Sequence, residues 1–260
     1  MWRYDLHIHT NHSAGVPTPV RDIIKLAERL GMAGIAITDH DTMDGAFEAL
    51  SVKTSLEIIP GCEITLDDRS HVIGLYLKEM VKSKRLEDVI AEIRAQDGLV
   101  MIPHPFRKKS GLLANGDSAN VDLWPEIMRQ ADLMEIYNSG CSASENQQAE
   151  ILAREYQGAV KPTASSDAHL IWRVGTGQLC VQNFREELSQ QPRRPLRELL
   201  QLDETTCGIY IGDLQNALST SDLRPPFVRL KQWLKPRFPV LNVIREGTRS
   251  MIRSVRVRPE

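Results

Sequence analysis

Short strand-like runs alternate with amphipathic helical stretches from Tyr4 to Ala164, and few architectures accept that pattern. Tyr4-Asp5-Leu6-His7-Ile8-His9 alternates polar and apolar residues with the period of a strand. Thr18-Pro19 offers an N-cap and a first helical position, Ile23, Ile24, Ala27 and Leu30 form an apolar stripe, and Gly31 closes the helix. Residues 34–38 read as a buried parallel strand, followed by a short helix near 44–50. Further strands are predicted at 56–60, 71–77, 99–102, 133–137 and 159–164, with later ones at 177–181 and 207–211. Helices are predicted from a Ser83 cap to Gly98, over 144–156 and over 195–200, and residues 107–120 read as a mobile loop. Strands separated by helices in this way predict an α/β fold, either a βα barrel or a doubly wound sheet.

The formal net charge of −2 points to no particular partner, but its distribution is uneven. Residues 224–260 hold ten Lys or Arg against two acids, which leaves 22 basic and 32 acidic residues in the rest of the chain. Prolines interrupt the basic segment at Arg224-Pro225-Pro226-Phe227 and Lys235-Pro236-Arg237-Phe238-Pro239. We therefore expect a barrel domain over residues 1–222 and a basic C-terminal appendage over 223–260. Phe227, Trp233, Leu234, Phe238, Val240 and Ile244 interleave with its charges, so it is either a solvated extension or a surface for a partner, nucleic acid or an anionic membrane. No apolar run is long enough for a transmembrane segment, and MWRYDLHIHT has no signal-like apolar region. Cys62, Cys141, Cys180 and Cys207 are widely spaced with no CxxC pair, consistent with reduced thiols and an expected cytoplasmic location.

All seven histidines (His7, His9, His12, His40, His71, His104 and His169) precede residue 170, most of them at a predicted strand boundary. Asp5, Asp39, Asp41, Glu63, Glu135 and Asp167 fall in the same places. A βα barrel gathers the C-terminal ends of its strands into one cup, so residues far apart in sequence converge there. His7 and His9 form an HxH pair whose members share a strand face, and Asp167 and His169 repeat the spacing. Glu63, after Pro60-Gly61-Cys62 at a predicted strand end, has two oxygens with which to bridge two ions, while His40 and His104 directly follow strands. Glu135 lies inside an apolar strand, where a carboxylate needs a partner. Asp5 and Asp39 are expected to orient the ligating histidines, Asp39 being grouped with the catalytic set. Cys62 is expected to be a small buried residue. Imidazole and carboxylate without thiolate suit two or three divalent metal ions such as Mn, Fe or Zn, a site able to clamp a phosphate and generate a hydroxide nucleophile.

Asp5-Leu6-His7-Ile8-His9-Thr10, Ile37-Thr38-Asp39-His40-Asp41-Thr42, Pro60-Gly61-Cys62-Glu63, Pro103-His104-Pro105, Glu135-Ile136-Tyr137-Asn138 and Ser166-Asp167-Ala168-His169 occur in that order. Together they resemble the PHP (polymerase and histidinol phosphatase) family, over roughly residues 4–176. The resemblance implies a distorted (β/α)7 TIM-like barrel with a trinuclear site that hydrolyses phosphate esters. It implies one ion held by His7, His9, Glu63 and Asp167, a second by Glu63, His104 and Glu135, and a third by His40 and His169. Where the family often has Asp in a Ser-Asp-Gly run, this chain has Ser13-Ala14-Gly15, and Ala14 has no donor atom. His12, two positions earlier, is a candidate substitute ligand; otherwise the site is dinuclear or its third ion is weakly held. The stretch around His71 resembles the small phosphoesterase branch, which makes His71 a candidate to orient or protonate substrate, or a peripheral ligand. Arg107, with Lys108 and Lys109, stands where a rim cation could pair with a substrate phosphate.

The expected function is metal-dependent phosphoester hydrolysis of a phosphate monoester or nucleotide-type substrate with a metal-activated hydroxide. The substrate is expected to be a small phosphorylated molecule, a nucleotide or a short nucleic-acid end, with 5′-exonuclease activity conceivable because the family includes one. An amidohydrolase-type site also begins with HxH but needs a bridging lysine, where this chain has Glu63. A non-catalytic metal-binding barrel acting through its basic tail is the alternative from another class.

Overall fold

The computed structural model describes residues 2–114, 121–156, 158–183, 195–201 and 205–211. Nine strands occur among them: β1 (Trp2–Ile8), β2 (Gly34–Ile37), β3 (Glu57–Thr65), β4 (His71–Leu75), β5 (Leu99–Ile102), β6 (Leu133–Asn138), β7 (Lys161–Ser165), β8 (Gly177–Asn183) and β9 (Thr205–Ile211). They form one sheet in the order β7-β6-β5-β4-β3-β2-β1-β8-β9. The pairs β1–β2, β2–β3, β5–β6 and β6–β7 are parallel, while β4 lies antiparallel to both β3 and β5, and β8 antiparallel to β1 and β9. The sheet curls until β7 meets β1: Ile8 bridges Ala168, and the His9 N–H donates to Ala168 O at 3.0 Å. Gly177 passes so close to Ser165 that a Cβ would overlap the Ser165 carbonyl. The molecule is thus a nearly closed α/β barrel and not a doubly wound sheet, the antiparallel β4 and β8 being its distortions.

Among the described residues six α-helices accompany the strands: α1 (Val20–Arg29), α2 (Asp44–Ser51), α3 (Leu86–Ala95), α4 (Trp124–Gln130), α5 (Ala143–Glu155) and α6 (Leu196–Gln201). Val20, Ile23, Ile24 and Ala27 of α1 pack with Ile35, Ile37 and Ala46 in a layer outside β2. A second outer layer joins Val89 and Ile93 of α3 and Leu152 of α5 to Ile64, Val100, Ile102 and Met134. The barrel interior holds Tyr4, Leu6, Ile59, Ile73, Leu75, Met101 and Leu133, joined by Leu196, Leu199 and Leu200 of α6. That helix seals the end where the parallel strands begin. Its Leu196 N–H donates to Glu57 at 3.0 Å, and Tyr76 Oη donates to Glu57 Oε1 at 2.8 Å while accepting the Arg197 N–H at 3.2 Å.

Several boundaries differ from the sequence expectation, each for a local reason. Thr18 does not cap α1, whose N-cap is Pro19; the Thr18 carbonyl accepts the Asn11 N–H at 2.8 Å instead. Ser83 does not cap α3, because its hydroxyl is bonded to Glu92, and the N-cap is Arg85. Helix α5 starts one residue earlier than predicted, on a Ser142–Glu145 capping box. Helix α4 was not predicted; with only seven residues it spans too little sequence to display a periodicity. Strand β3 runs past its predicted end to Thr65, so Glu63 lies within a strand. Among the described residues no helix is long and apolar enough to cross a membrane. The predicted boundary at 222 and the basic appendage lie outside the described residues.

Candidate metal centre

Strand β1 slips in register against β2 between Asp5 and Ile8, a local irregularity that falls where the apolar interior gives way to imidazoles. Asp5 fastens this end of the strand to the far side of the barrel, accepting the Ser166 N–H at 3.0 Å and the Gly175 N–H at 2.8 Å. Its complete burial pushes the pKa up to about 6, against those hydrogen bonds. His40 follows β2, His71 begins β4, His104 follows β5, and Asp167 and His169 follow β7. Asp41, His104 and Asp167 hold φ of 51°, 28° and 50°, sparsely populated values for residues with a Cβ, and Asp41 adjoins His40.

Glu63 occupies the centre of the cluster. Its Oε1 lies 2.7 Å from His71 Nδ1 and 2.9 Å from His104 Nε2. Its Oε2 lies 3.2 Å from each of His7 Nε2, His9 Nε2 and His40 Nδ1. His7 Nε2 and His9 Nε2 are 3.0 Å apart, and Asp167 Oδ1 stands 3.5 and 3.2 Å from them. Ligand atoms bound about 2.1 Å from one ion stand about 3.0–3.4 Å from each other, the edge lengths of an octahedron and a tetrahedron. These separations therefore match the edges of a coordination shell.

The PHP domain profile matches residues 5–169, more than half of the chain. The chain belongs to the PHP domain family. An uncharacterized protein of Methanocaldococcus jannaschii is 31% identical over 183 residues, covering 68% of this chain and 69% of its own. A 5′-3′ exoribonuclease of Haemophilus influenzae is 35% identical over 78 residues, 28% of each chain. Among solved structures, a two-domain protein of Bacteroides vulgatus containing a predicted PHP-like metal-dependent phosphoesterase aligns at TM-score 0.59 and 16% identity. That alignment covers 79% of this chain and 64% of the other, and at such identity it speaks for the barrel alone.

The donor set of this PHP barrel fits divalent cations. Among the described residues, four trios each have their donor atoms within 4.8 Å of one another: His7, His9 and Glu63; His7, His104 and Asp167; His40, Glu63 and His71; and His9, His40 and His169. Asp167 Oδ1 is buried with no hydrogen-bond partner and faces three imidazoles, as an oxygen awaiting a cation would. Burial opposes ionisation of Glu63 and Asp167, but His7 and its neighbours outweigh it and hold both well below the usual carboxylate range. Burial likewise opposes charge on His7 and His9, yet the facing carboxylates raise both, His7 strongly. His104 and His40 are lowered by burial, His40 to about 4. The buried carboxylates of Glu63 and Asp167 are thus packed among imidazoles, and a cation is the natural counter-charge.

Several residues sit differently from expectation. Glu135, expected to share the second ion, is turned to the outer edge of His7: Oε1 lies 3.0 Å from His7 Nδ1, and Oε2 accepts the His104 N–H and Asn138 Nδ2, both at 2.7 Å. His71 instead joins His104 on Glu63 Oε1. His12, a candidate third-ion ligand, is in none of the four groups; its Nε2 lies 2.8 Å from Glu48 Oε2. Asp39 touches no imidazole: it accepts from Thr10 N–H at 2.7 Å, Thr10 Oγ1 at 2.7 Å and Ser13 Oγ at 2.6 Å. Ser13 carries its influence onward, accepting the His40 N–H at 3.0 Å and lying 3.5 Å from His9 Nδ1. Arg107 reaches inward as expected of a rim residue, with Nη2 at 2.5 Å from Asp167 Oδ2 and 2.9 Å from Asn138 Oδ1, its side chain 23% exposed. Lys108 and Lys109 are exposed. Cys62 is buried and its thiol is pushed up to about 12 by burial, so it is no nucleophile. Ser13 and Asn138 are the residues sequence reasoning missed; each is a polar side chain inside a recognised motif or directly after one.

Proposed function

We propose that this PHP protein is a phosphoesterase that hydrolyses a phosphate monoester, or the 5′ end of a nucleotide chain, with two divalent ions that Glu63 and the side chains facing its two oxygens would hold. The observation that carries the reading is the division of the Glu63 carboxylate: one oxygen faces His71 and His104, the other faces His7, His9 and His40. In the proposed assignment His7, His9, Glu63 and Asp167 hold one ion, and Glu63, His71 and His104 hold the second. Divalent ions bound there would polarise a phosphoryl oxygen and lower the pKa of water toward neutrality. Glu135 orients His7 and fixes which ring nitrogen faces inward. Arg107 steers Asp167 through Oδ2, which leaves Oδ1 for the cluster, and its guanidinium, 23% exposed, is the cation on hand to meet a phosphate. The exoribonuclease relative supports a nucleotide-type substrate, and the acidic body of the chain supports a short one. The basic segment 223–260 enters the proposal only as a surface for an anionic partner.

The test is a phosphoester panel with Mn-loaded protein: p-nitrophenyl phosphate, mononucleotides, 3′,5′-bisphosphates, histidinol phosphate and short 5′-phosphorylated RNA. Turnover on one class, lost in Glu63→Ala and Asp167→Ala, would establish the activity. Absence of turnover on every class despite two bound ions would overturn it in favour of a metal-holding scaffold.

A further inference from the structure

We infer that the outer position of the cluster, between His9, His40 and His169, takes a divalent ion only together with a phosphate group. The inference rests on the phosphoesterase reading above. The three ring systems are close, His9 and His169 having centroids 4.2 Å apart and His9 and His40 4.5 Å. Each offers a nitrogen within 4.8 Å of the other two, but no carboxylate belongs to the trio.

The nearby charges are already committed. Glu63 Oε2 serves His7 and His9 as well as His40. Asp167 Oδ1 is shared among His7, His9 and His169, at 3.5, 3.2 and 3.4 Å, and Oδ2 pairs with Arg107. His9 is itself engaged on both ring nitrogens, with Nε2 at 3.2 Å from both Glu63 and Asp167 and Nδ1 at 3.5 Å from Ser13 Oγ. His40 and His169 remain as the outer position's own donors, 32% and 45% exposed. The loop that passes Ser13 adds Ala14, which has no donor atom.

Two imidazole ligands in contact with water neither neutralise a doubly charged ion nor complete its coordination. A phosphate dianion held on the inner ions supplies what is missing, oxygen ligands and negative charge, on the side where His40 and His169 open to solvent. The outer ion is then part of the substrate complex and not a resident of the free protein. Linkage requires the converse, that this ion tightens phosphate binding by the same factor that phosphate tightens the ion.

The experiment is equilibrium dialysis of metal-stripped full-length protein against graded manganese, with and without inorganic phosphate, read by elemental analysis. Two tightly held ions without phosphate are expected, and a third only when phosphate is present. The phosphate Kd, measured by calorimetry, should tighten about tenfold or more as manganese is raised beyond saturation of the inner pair. His40→Ala and His169→Ala should keep the two tight ions and lose the phosphate-linked third. A third ion held as tightly without phosphate overturns the inference, as does none at saturating phosphate or a third that survives both substitutions. Fewer than two ions without phosphate would overturn the phosphoesterase reading itself, and this inference with it.

Discussion

His7 is gripped at both edges of its ring, Glu135 Oε1 standing 3.0 Å from Nδ1 and Glu63 Oε2 3.2 Å from Nε2. A carboxylate on the outer nitrogen fixes the tautomer and makes the inner nitrogen more basic, and removing such a partner typically weakens metal affinity by about 10–100-fold. Glu135→Gln should therefore bind the same number of ions as the wild type, each less tightly, in a fluorescence competition titration. Loss of one whole ion equivalent would instead make Glu135 a direct ligand.

Arg107 gives a different signature. Its Nη2 donates to both Asp167 Oδ2 and Asn138 Oδ1, and the rest of the planar guanidinium offers further N–H groups in a fixed fork that a compact lysine ammonium lacks. Arg107→Lys should raise KM for a phosphorylated substrate about tenfold with a smaller fall in kcat and unchanged metal content. Equal losses in kcat and kcat/KM, with KM unaltered, would argue that Arg107 acts only in the transition state.

Protons and metal compete for the same nitrogens. His7, His9 and Asp5 all have pKa values raised in the folded, metal-free protein, Asp5 to about 6. Groups raised in this way stabilise the fold below their unfolded pKa, near 6.5 for the histidines and 3.8 for Asp5, and the contribution fades as pH rises through the folded values. Stripped protein should thus lose thermal stability as pH climbs from about 6 upward, first through the folded pKa of Asp5 and then through the raised values of His9 and His7. Manganese should reverse the slope, since ions replace those protons and bind more tightly as pH rises. Scanning calorimetry of both forms checks this, and a flat or rising Tm for the stripped form would refute it.

Gly45 lies against the Asp39 hub. A Cβ there would overlap Asp39 Oδ2 and Thr10 Oγ1. Those atoms hold the buried network that positions Ser13, so neither gives way freely. Gly45→Ala should cost about 1–3 kcal/mol in urea unfolding despite the better helix propensity of alanine. A gain in stability would mean that α2 can shift without disturbing Asp39.

The barrel and most of the cluster were legible because each strand end carries its ligand in a short local motif. His7 with His9 and Asp167 with His169 declare themselves by spacing, and His40 and His104 by standing just past an apolar run. What stayed hidden depends on direction in space. Glu135 is acidic and buried in either role, and only the 3.0 Å contact with His7 Nδ1 assigns it to the outer edge of that ring. His71 could not be distinguished from a peripheral residue until β4 paired antiparallel with β3, bringing it to Glu63 Oε1. Helix α6 was visible as an apolar segment, but nothing in its sequence said that Leu196, Leu199 and Leu200 plug the barrel. Ser83 and Ser144 are as good caps on paper as Ser142, and the choice fell to side chains of the helices themselves, Glu92 taking the Ser83 hydroxyl and Glu145 completing the box with Ser142.

Strand β3 leads two lives: its first half pairs with β2, and its second half, from Gly61, pairs with β4 in a register that sets Thr65 opposite His71 and Glu63 opposite Ile73. The hairpin turn between them is therefore a gauge. Lengthening it while preserving the register changes the rim of the cup and leaves the His71–Glu63 contact untouched; slipping it by one residue turns His71 to the far face and strands half of the Glu63 carboxylate. Descendants of such a barrel are free to explore new substrates through that turn, on condition that they never lose count along the strands.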